Sequence, residues 1–250
     1  MKSPLRYPGG KSRAAQSIVR RFFPKSTQAV ISPFLGGGSV ELALAEQGTE
    51  VFASDAFQPL ITFWNALLHD REALVEAVRA IPKMTPELFK YFQNGLRNGQ
   101  VSGVLEAAWF FAINRSSFSG VTLCGGMSPG TPRFTESSME RLASFREPRL
   151  SVTPEAEDFE TFLRKYPDML AYCDPPYMTD GKLYGDNGSL HKDFDHERLR
   201  RVLGERRNWV LSYNDCPEVR ELYTGFKILT PDWNYGMTGG KISSELIITG

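Results

Sequence analysis

Along this chain, short apolar runs alternate with stretches whose apolar residues recur at helical spacing. Residues 28–32 and 50–54 read as strands, with a helix over 39–47 between them. Residues 57–69 follow as a helix whose Leu60, Phe63, Trp64 and Leu67 share one face. The helical period then persists over 72–118, broken at Pro82 and around Asn98-Gly99. Residues 124–134 are rich in Gly, Pro and polar side chains and read as a loop. Residues 135–145 read as a short helix opened by Thr135 and Ser138. Strand candidates resume at 149–153, 169–173, 208–213, 226–229 and 245–249, which makes seven in all. Alternation of this kind predicts an α/β fold: a seven-stranded, mostly parallel, doubly wound sheet with helices on both faces. The helical stretch 58–145 interrupts the rhythm and reads as an inserted sub-domain, leaving 1–57 and 146–250 as the main domain.

Bulk properties narrow the picture only a little. A chain of 250 residues can bury one large α/β domain, with or without a sub-domain. No stretch is apolar for long enough to span a membrane, and the first residues lack the apolar core of a signal peptide, so a cytoplasmic protein is expected. Cys124, Cys173 and Cys216 are odd in number and far apart, and His69, His191 and His196 have no ligand spacing. Neither a disulfide framework nor a metal site follows. Net charge is zero, yet Lys2, Arg6, Lys11, Arg13, Arg20, Arg21 and Lys25 come with no acid among them. That run reads either as a phosphate-contacting face or as a solvated helix face.

Candidate chemistry concentrates at a few turns. Asp174-Pro175-Pro176-Tyr177 directly follows the apolar run 169–173, so it belongs at the carboxyl edge of the sheet, where open α/β folds bind ligands. The prolines pin the backbone, so the Asp174 carboxylate, the Pro175 carbonyl and the Tyr177 ring keep a fixed relation. An acceptor pair beside an aromatic face suits a planar, amino-bearing base; a rigid capped turn is the plainer reading. Phe34-Leu35-Gly36-Gly37-Gly38-Ser39 links the first strand to a helix, and Asp55 ends the second strand, a spacing that suits a nucleoside and its ribose hydroxyls. The third glycine of a dinucleotide fingerprint is missing, which favours a smaller adenosine-type ligand. Tyr7-Pro8-Gly9-Gly10-Lys11 fails the phosphate-loop spacing and reads as a turn that sets an aromatic ring and a lysine against a ligand, or simply caps a helix from Ser12. Asn114-Arg115-Ser116-Ser117-Phe118-Ser119-Gly120 ends a very apolar helix, and Arg115 reads as a buried structural ion or a nucleic-acid contact.

In chain order these motifs resemble those of the D12 class (Dam-type) of DNA adenine-N6 methyltransferases. The resemblance runs nearly end to end: the motif from Pro4 to Lys11, the loop from Pro33 to Ser39, Asp55, the signature from Asn114 to Gly120, the tetrapeptide from Asp174 to Tyr177, Ser212-Tyr213-Asn214-Asp215, and the closing segment from Ser243 to Ile248. It implies a sheet of the S-adenosylmethionine-dependent methyltransferase (Rossmann-like) type and a target-recognition role for the helical insert. It implies S-adenosylmethionine as cofactor, S-adenosylhomocysteine as its product, and no metal. The cofactor residues would be Tyr7, Lys11, Phe34, Gly36, Gly37, Gly38, Asp55 and Asp174, and the catalytic residues Asp174, Pro175, Pro176 and Tyr177. Asn114, Arg115 and Arg133 are the candidate nucleic-acid contacts. The partner would be double-stranded DNA, met by a monomer in the cytoplasm of a bacterium or a phage-infected host. Where the family usually continues Leu-x-Arg after its glycine, this chain has Val121-Thr122-Leu123, which speaks against a GATC target. Cytosine-N4 methylation is the nearest chemical alternative, although Asp at the head of the tetrapeptide favours adenine. A catalytically silent regulator that binds cofactor or DNA is a second alternative, against which the intact tetrapeptide and glycine loop argue.

Overall fold

The computed structural model describes residues 1–128, 133–179, 185–186, 188–231 and 245–250. Helix α1 (Ala15–Phe22) leads into β1 (Ala29–Ser32), α2 (Ser39–Glu46) and β2 (Glu50–Ala53). A helical run follows: α3 (Gln58–His69), α4 (Arg71–Arg79), α5 (Pro86–Arg97), α6 (Gly103–Ser116) and α7 (Glu136–Ala143). Alternation then resumes through β3 (Leu150–Val152), α8 (Phe159–Lys165), β4 (Ala171–Cys173), α9 (Ser189–Lys192) and α10 (His196–Gly204). The chain ends with β5 (Trp209–Asn214), α11 (Pro217–Leu222), β6 (Lys227–Leu229) and β7 (Glu245–Thr249).

Local chemistry explains where several of these elements begin. Thr85 caps α5 by accepting the Leu88 N–H at 3.2 Å, with Pro86 next in the first turn. Thr135 and Ser138 form the reciprocal capping box expected for α7. Asp195 caps α10 through the Arg198 N–H at 2.8 Å, which puts His196 in a helix's first turn. Two of the boundaries that differ from the sequence pattern have a clear local cause. Helix α1 starts at Ala15 rather than Ser12, because Lys11 and Ala14 form a turn and the Lys11 side chain is drawn into the protein. Phe118 falls outside α6, because Ser117 turns extended (ψ 156°) and Ser119 adopts a positive φ of 53°.

The seven strands form one mixed, mostly parallel sheet in the order β3-β2-β1-β4-β5-β7-β6, with β7 antiparallel to both its neighbours. Side chains alternate across it. Ala171 and Cys173 join a cluster with α8, α10 and α11, whereas Tyr172 between them joins the opposite cluster. That opposite cluster takes in α1, α2 and the helical run α3–α7, whose Phe63, Trp64, Phe110 and Phe111 are fully buried. Strand order reverses between β1 and β4, and such a switch opens a crevice at the carboxyl ends of those strands. No helix among the described residues is long and apolar enough to cross a membrane. Residues 129–132 of the expected loop, and Ser243 and Ser244 of the closing motif, lie outside the described residues.

Candidate functional site

The crevice between β1 and β4 holds a cavity of ≈ 370 Å³. Tyr7, Lys11, Phe34, Gly36, Gly37, Gly38, Asp55, Asp174, Pro175, Pro176 and Tyr177 all line it. Sequence positions from 7 to 177 thus converge on one site: the loops after β1, β2 and β4 leave the sheet at the same edge, and the segment before α1 joins them there. Asp55 lies just beyond β2 and accepts N–H bonds from Gly36 at 2.9 Å and Phe57 at 3.1 Å. The glycine loop is tight for a specific reason. A side chain at Gly36 or Gly37 would strike the Tyr7 ring or its Cβ, and one at Gly38, where φ is +65°, would strike Trp64. Trp64 in turn donates its indole N–H to the Gly36 carbonyl at 3.1 Å. Glycine here lets two aromatic residues close over the loop backbone.

Lys11 is the hub of the tetrapeptide. Its ammonium lies 2.6 and 2.7 Å from the two Asp174 oxygens, 2.7 Å from the Tyr177 hydroxyl and 3.1 Å from Glu245. Only 2% of the side chain is exposed. Burial works against that charge, but the Asp174 and Glu245 carboxylates outweigh it and hold the Lys11 pKa above the usual lysine value. Lys11 is therefore not part of any basic N-terminal face, whereas Lys2, Arg13, Arg20, Arg21 and Lys25 are exposed. The Tyr177 ring stacks on Tyr213, with centroids 5.9 Å apart.

Several lining residues carry no local sequence signal. Phe159 and Phe194 pack with Phe34 into an aromatic box, ring centroids 5.4 to 5.7 Å apart, at one side of the cavity. Arg198 lies 4.3 Å over the Phe159 ring and pairs with Asp158. Glu41 is different, since an acid inside the apolar turn Val40-Glu41-Leu42-Ala43-Leu44 is visible in the sequence as an anomaly. It is buried, lines the cavity and accepts the Ser32 hydroxyl at 2.7 Å.

Three carboxyls of the site titrate high. Burial pushes Glu41 up to about 7 against the Ser32 hydrogen bond. It pushes Asp55 up to about 6 despite the Gly36 and Phe57 N–H groups. It also pushes Asp174 up to about 6 against the pull of Lys11, with Glu245 adding to the rise. All three pKa values are raised on folding, so the folded protein retains protons that the unfolded chain has released, and stability from these groups is lost as pH rises through 6 to 7. The ligand-free protein should therefore melt lower at about pH 7.5 than at about pH 5.5, and Glu41→Gln should remove about 1 kcal/mol or more of that difference. A melting temperature that climbs across this window would contradict the assignment.

The signature from Asn114 to Gly120 does not line the cavity. Asn114, expected at a nucleic acid, is fully buried: its amide accepts the Arg6 N–H at 3.0 Å and donates to the carbonyls of Arg6 at 2.8 Å and Gly120 at 3.2 Å. It clamps the segment that leads into Tyr7 and Lys11. Arg115 is also buried and donates to the carbonyls of Arg133 at 3.2 Å and Pro4 at 3.4 Å. Burial, then Arg141, Arg6 and Arg133, bring the Arg115 pKa down to about 10. Four guanidiniums are therefore gathered behind the N-terminal motif, with Arg133 and Arg141 exposed. Phe118 is 66% exposed on the adjoining turn. Leu123, by contrast, is buried, and its carbonyl accepts from Arg97. Among the described residues no group of three His, Cys, Asp or Glu side chains could hold a metal.

Known proteins match the chain over nearly its whole length. The DNA adenine methylase of Vibrio cholerae is 27% identical over 244 residues, which cover 90% of this chain and 85% of that relative. The DNA adenine methylase of Haemophilus influenzae is 23% identical over 245 residues, covering 89% and 83%. The type II methyltransferase M1.LlaDCHI of Lactococcus lactis subsp. cremoris is 24% identical over 243 residues, covering 89% and 84%. The precorrin-8W decarboxylase of Methanobacterium thermoautotrophicum aligns over the whole chain at a TM-score of 0.40 and 14% identity, which supports no conclusion. The model of the D12 class N6 adenine-specific DNA methyltransferases matches residues 7–237, a span that includes every loop lining the cavity. This chain belongs to that family.

Proposed function

We propose that this enzyme methylates the exocyclic N6 of an adenine that has left the stack of double-stranded DNA. The observation that carries the reading is the convergence of Asp174-Pro175-Pro176-Tyr177, Lys11, Asp55 and the glycine loop on one cavity at the strand-order switch. The sheet order, with β7 reversed, supports the Rossmann-like methyltransferase type that the resemblance implies.

The residues present fit S-adenosylmethionine. Asp55 would take the ribose hydroxyls, the box of Phe34, Phe159 and Phe194 the purine, and Tyr7, Lys11 and Asp174 the amino-acid end. Glu41, Asp55 and Asp174 outnumber the one buried lysine in the cavity, which suits a ligand carrying positive charge. When bound, S-adenosylmethionine supplies a methyl group on a positively charged sulfur that departs as a neutral thioether. The protein's part is positioning. Adenine N6 is a poor nucleophile because its lone pair is delocalised into the ring. If the Asp174 carboxylate and the Pro175 carbonyl each accept one N6–H, the lone pair is drawn out of conjugation and aimed at the methyl group. Asp174 then receives the proton that the amine loses as its new N–C bond forms. Tyr177 stacks on the extruded base, which must leave the duplex to enter such a cavity.

The arginine cluster supports a phosphate contact behind the N-terminal motif. Like charges held this close gain most from an anion between them. The exposed Phe118 ring beside them suits an apolar wedge against a base step. The helical segment from residue 58 to 145 would carry target recognition. DNA affinity should fall steeply with salt. Arg133→Ala should weaken it on all sequences alike and reduce the salt slope by about 1. Binding that ignores salt would remove the phosphate assignment.

The reaction is tested by nucleoside mass spectrometry on unmethylated DNA incubated with the protein and S-adenosylmethionine. N6-methyladenine is the expected product, and mapping the modified sites gives the recognition sequence. N4-methylcytosine would change the base, and no methylated nucleoside at all would overturn the reading.

A further inference from the structure

Glu245 opens β7 and stands directly opposite Asn214, the last residue of β5, in the antiparallel ladder. The reaction as proposed makes no use of it, yet it is only 6% exposed and its carboxylate reaches the centre of the tetrapeptide site. Its Oε1 accepts the Tyr177 hydroxyl and lies 3.1 Å from Lys11 Nζ. Its Oε2 is buried with no hydrogen-bond partner among the described residues. Asn214 grips the next residue of the same loop, accepting the Met178 N–H at 3.0 Å and donating to the Met178 carbonyl at 3.1 Å. Two facing residues on adjacent strands therefore hold Tyr177 by its hydroxyl and Met178 by its backbone.

The electrostatics give this arrangement a chemical purpose. Asp174 must offer its oxygens to the base, but here Lys11 occupies both of them. A buried ammonium cannot be left without a counter-charge. Among the described residues, Glu245 is the one other carboxylate within ion-pair distance of Lys11. We propose that Glu245 is a positioning residue: it neutralises Lys11 when Asp174 turns to the adenine amine, and it fixes the Tyr177 ring by its hydroxyl. This inference rests on the methyl-transfer reading above. The charged and titratable groups around it are Lys11 on the N-terminal loop, Asp174 and Tyr177 after β4, and Glu41 on α2, which acts through Asp174 and Lys11.

The test is the pH dependence of kcat and KM for the wild type, Glu245→Gln and Glu245→Asp, with melting curves for each. Glu245→Gln should stay folded, keep its KM for DNA and lose about 10²-fold in kcat, because Lys11 then stays on Asp174. The acid limb of its rate profile should move to lower pH, since Asp174 loses a repelling neighbour and keeps its cation. Glu245→Asp keeps the counter-charge but withdraws it from Tyr177, so it should lose less in kcat with the acid limb in place. A wild-type kcat in either variant would overturn the proposal. So would an unmoved acid limb in Glu245→Gln, or failure of both variants to fold. Inactivity of the wild type would instead sink the methyl-transfer reading itself.

Discussion

Asp174→Ala should lower the rate of methyl transfer by about 10³-fold while the chain remains folded, a loss of the size seen when one aligned polar group is removed from a preorganised site. Two features of the site lead to this expectation. Asp174 would be the one side-chain acceptor for the amine, the Pro175 carbonyl being its only partner in that task. Its loss also leaves Lys11 with the Tyr177 hydroxyl at 2.7 Å, Glu245 at 3.1 Å and the Gly9 carbonyl at 3.4 Å, so the buried ammonium keeps partners and the crevice need not collapse. Asp174→Asn separates charge from geometry. It keeps an acceptor oxygen but cannot balance Lys11, so its rate should fall between those of the wild type and the alanine variant. Formation of N6-methyladenine at a near-normal rate by Asp174→Ala, with an unchanged melting curve, would refute the mechanism.

Gly120→Ala should be the most damaging small substitution outside the cavity. Gly120 has a φ of +81°, and a Cβ there would lie 2.1 Å from the Arg6 carbonyl oxygen, which is backbone and cannot swing aside. The same carbonyl is held by Asn114 at 2.8 Å, so the added methyl must either break that clamp or push the N-terminal motif off its seat. A loss of about 3 kcal/mol is expected from left-handed strain together with the clash. Because Arg6 leads directly into the segment that carries Tyr7 and Lys11, binding of S-adenosylmethionine should weaken along with stability. Gly99→Ala is the matched control. Its φ is +60°, but nothing lies within 4 Å of the added Cβ, so it should show strain alone, about 1–2 kcal/mol, with cofactor binding intact. Equal effects at the two positions would mean that the clamp is unimportant. Melting curves and cofactor titrations on the two variants decide it.

The contrast between these two glycines shows where the sequence stops being informative. Gly99 follows α5 and Gly120 lies on the turn after α6, and nothing local shows what a Cβ at either would meet. The strands, by contrast, could be read from the chain alone, because a buried strand of a parallel sheet must be apolar along its length and must end at a turn. So could the helix start at Thr135, whose capping chemistry depends on neighbours a few residues away. The tetrapeptide, the glycine loop and Asp55 were legible for a related reason: each sits where a strand gives out, and in an open α/β sheet those ends share one edge.

Tertiary structure decided which side chains face one another across that edge. Lys11 reads locally as a lysine that a turn sets against a ligand, and as one member of a basic run; only the approach of Asp174, 163 positions away, makes it the buried hub of the site. Asn114 reads as a polar residue available to DNA, and only its contact with Arg6, 108 positions earlier, makes it a clamp. Glu245 belongs to the closing motif from Ser243 to Ile248, but its place at the site emerges only when the β5–β7 ladder sets it opposite Asn214 and against Tyr177. The sequence alone determined the elements and the sheet edge at which the candidate site lies, because hydrophobic period and turn chemistry act over a few residues. The partners of each charge were left to the packed fold, because a buried ion is stabilised by whatever the fold brings within a few ångströms, however distant along the chain.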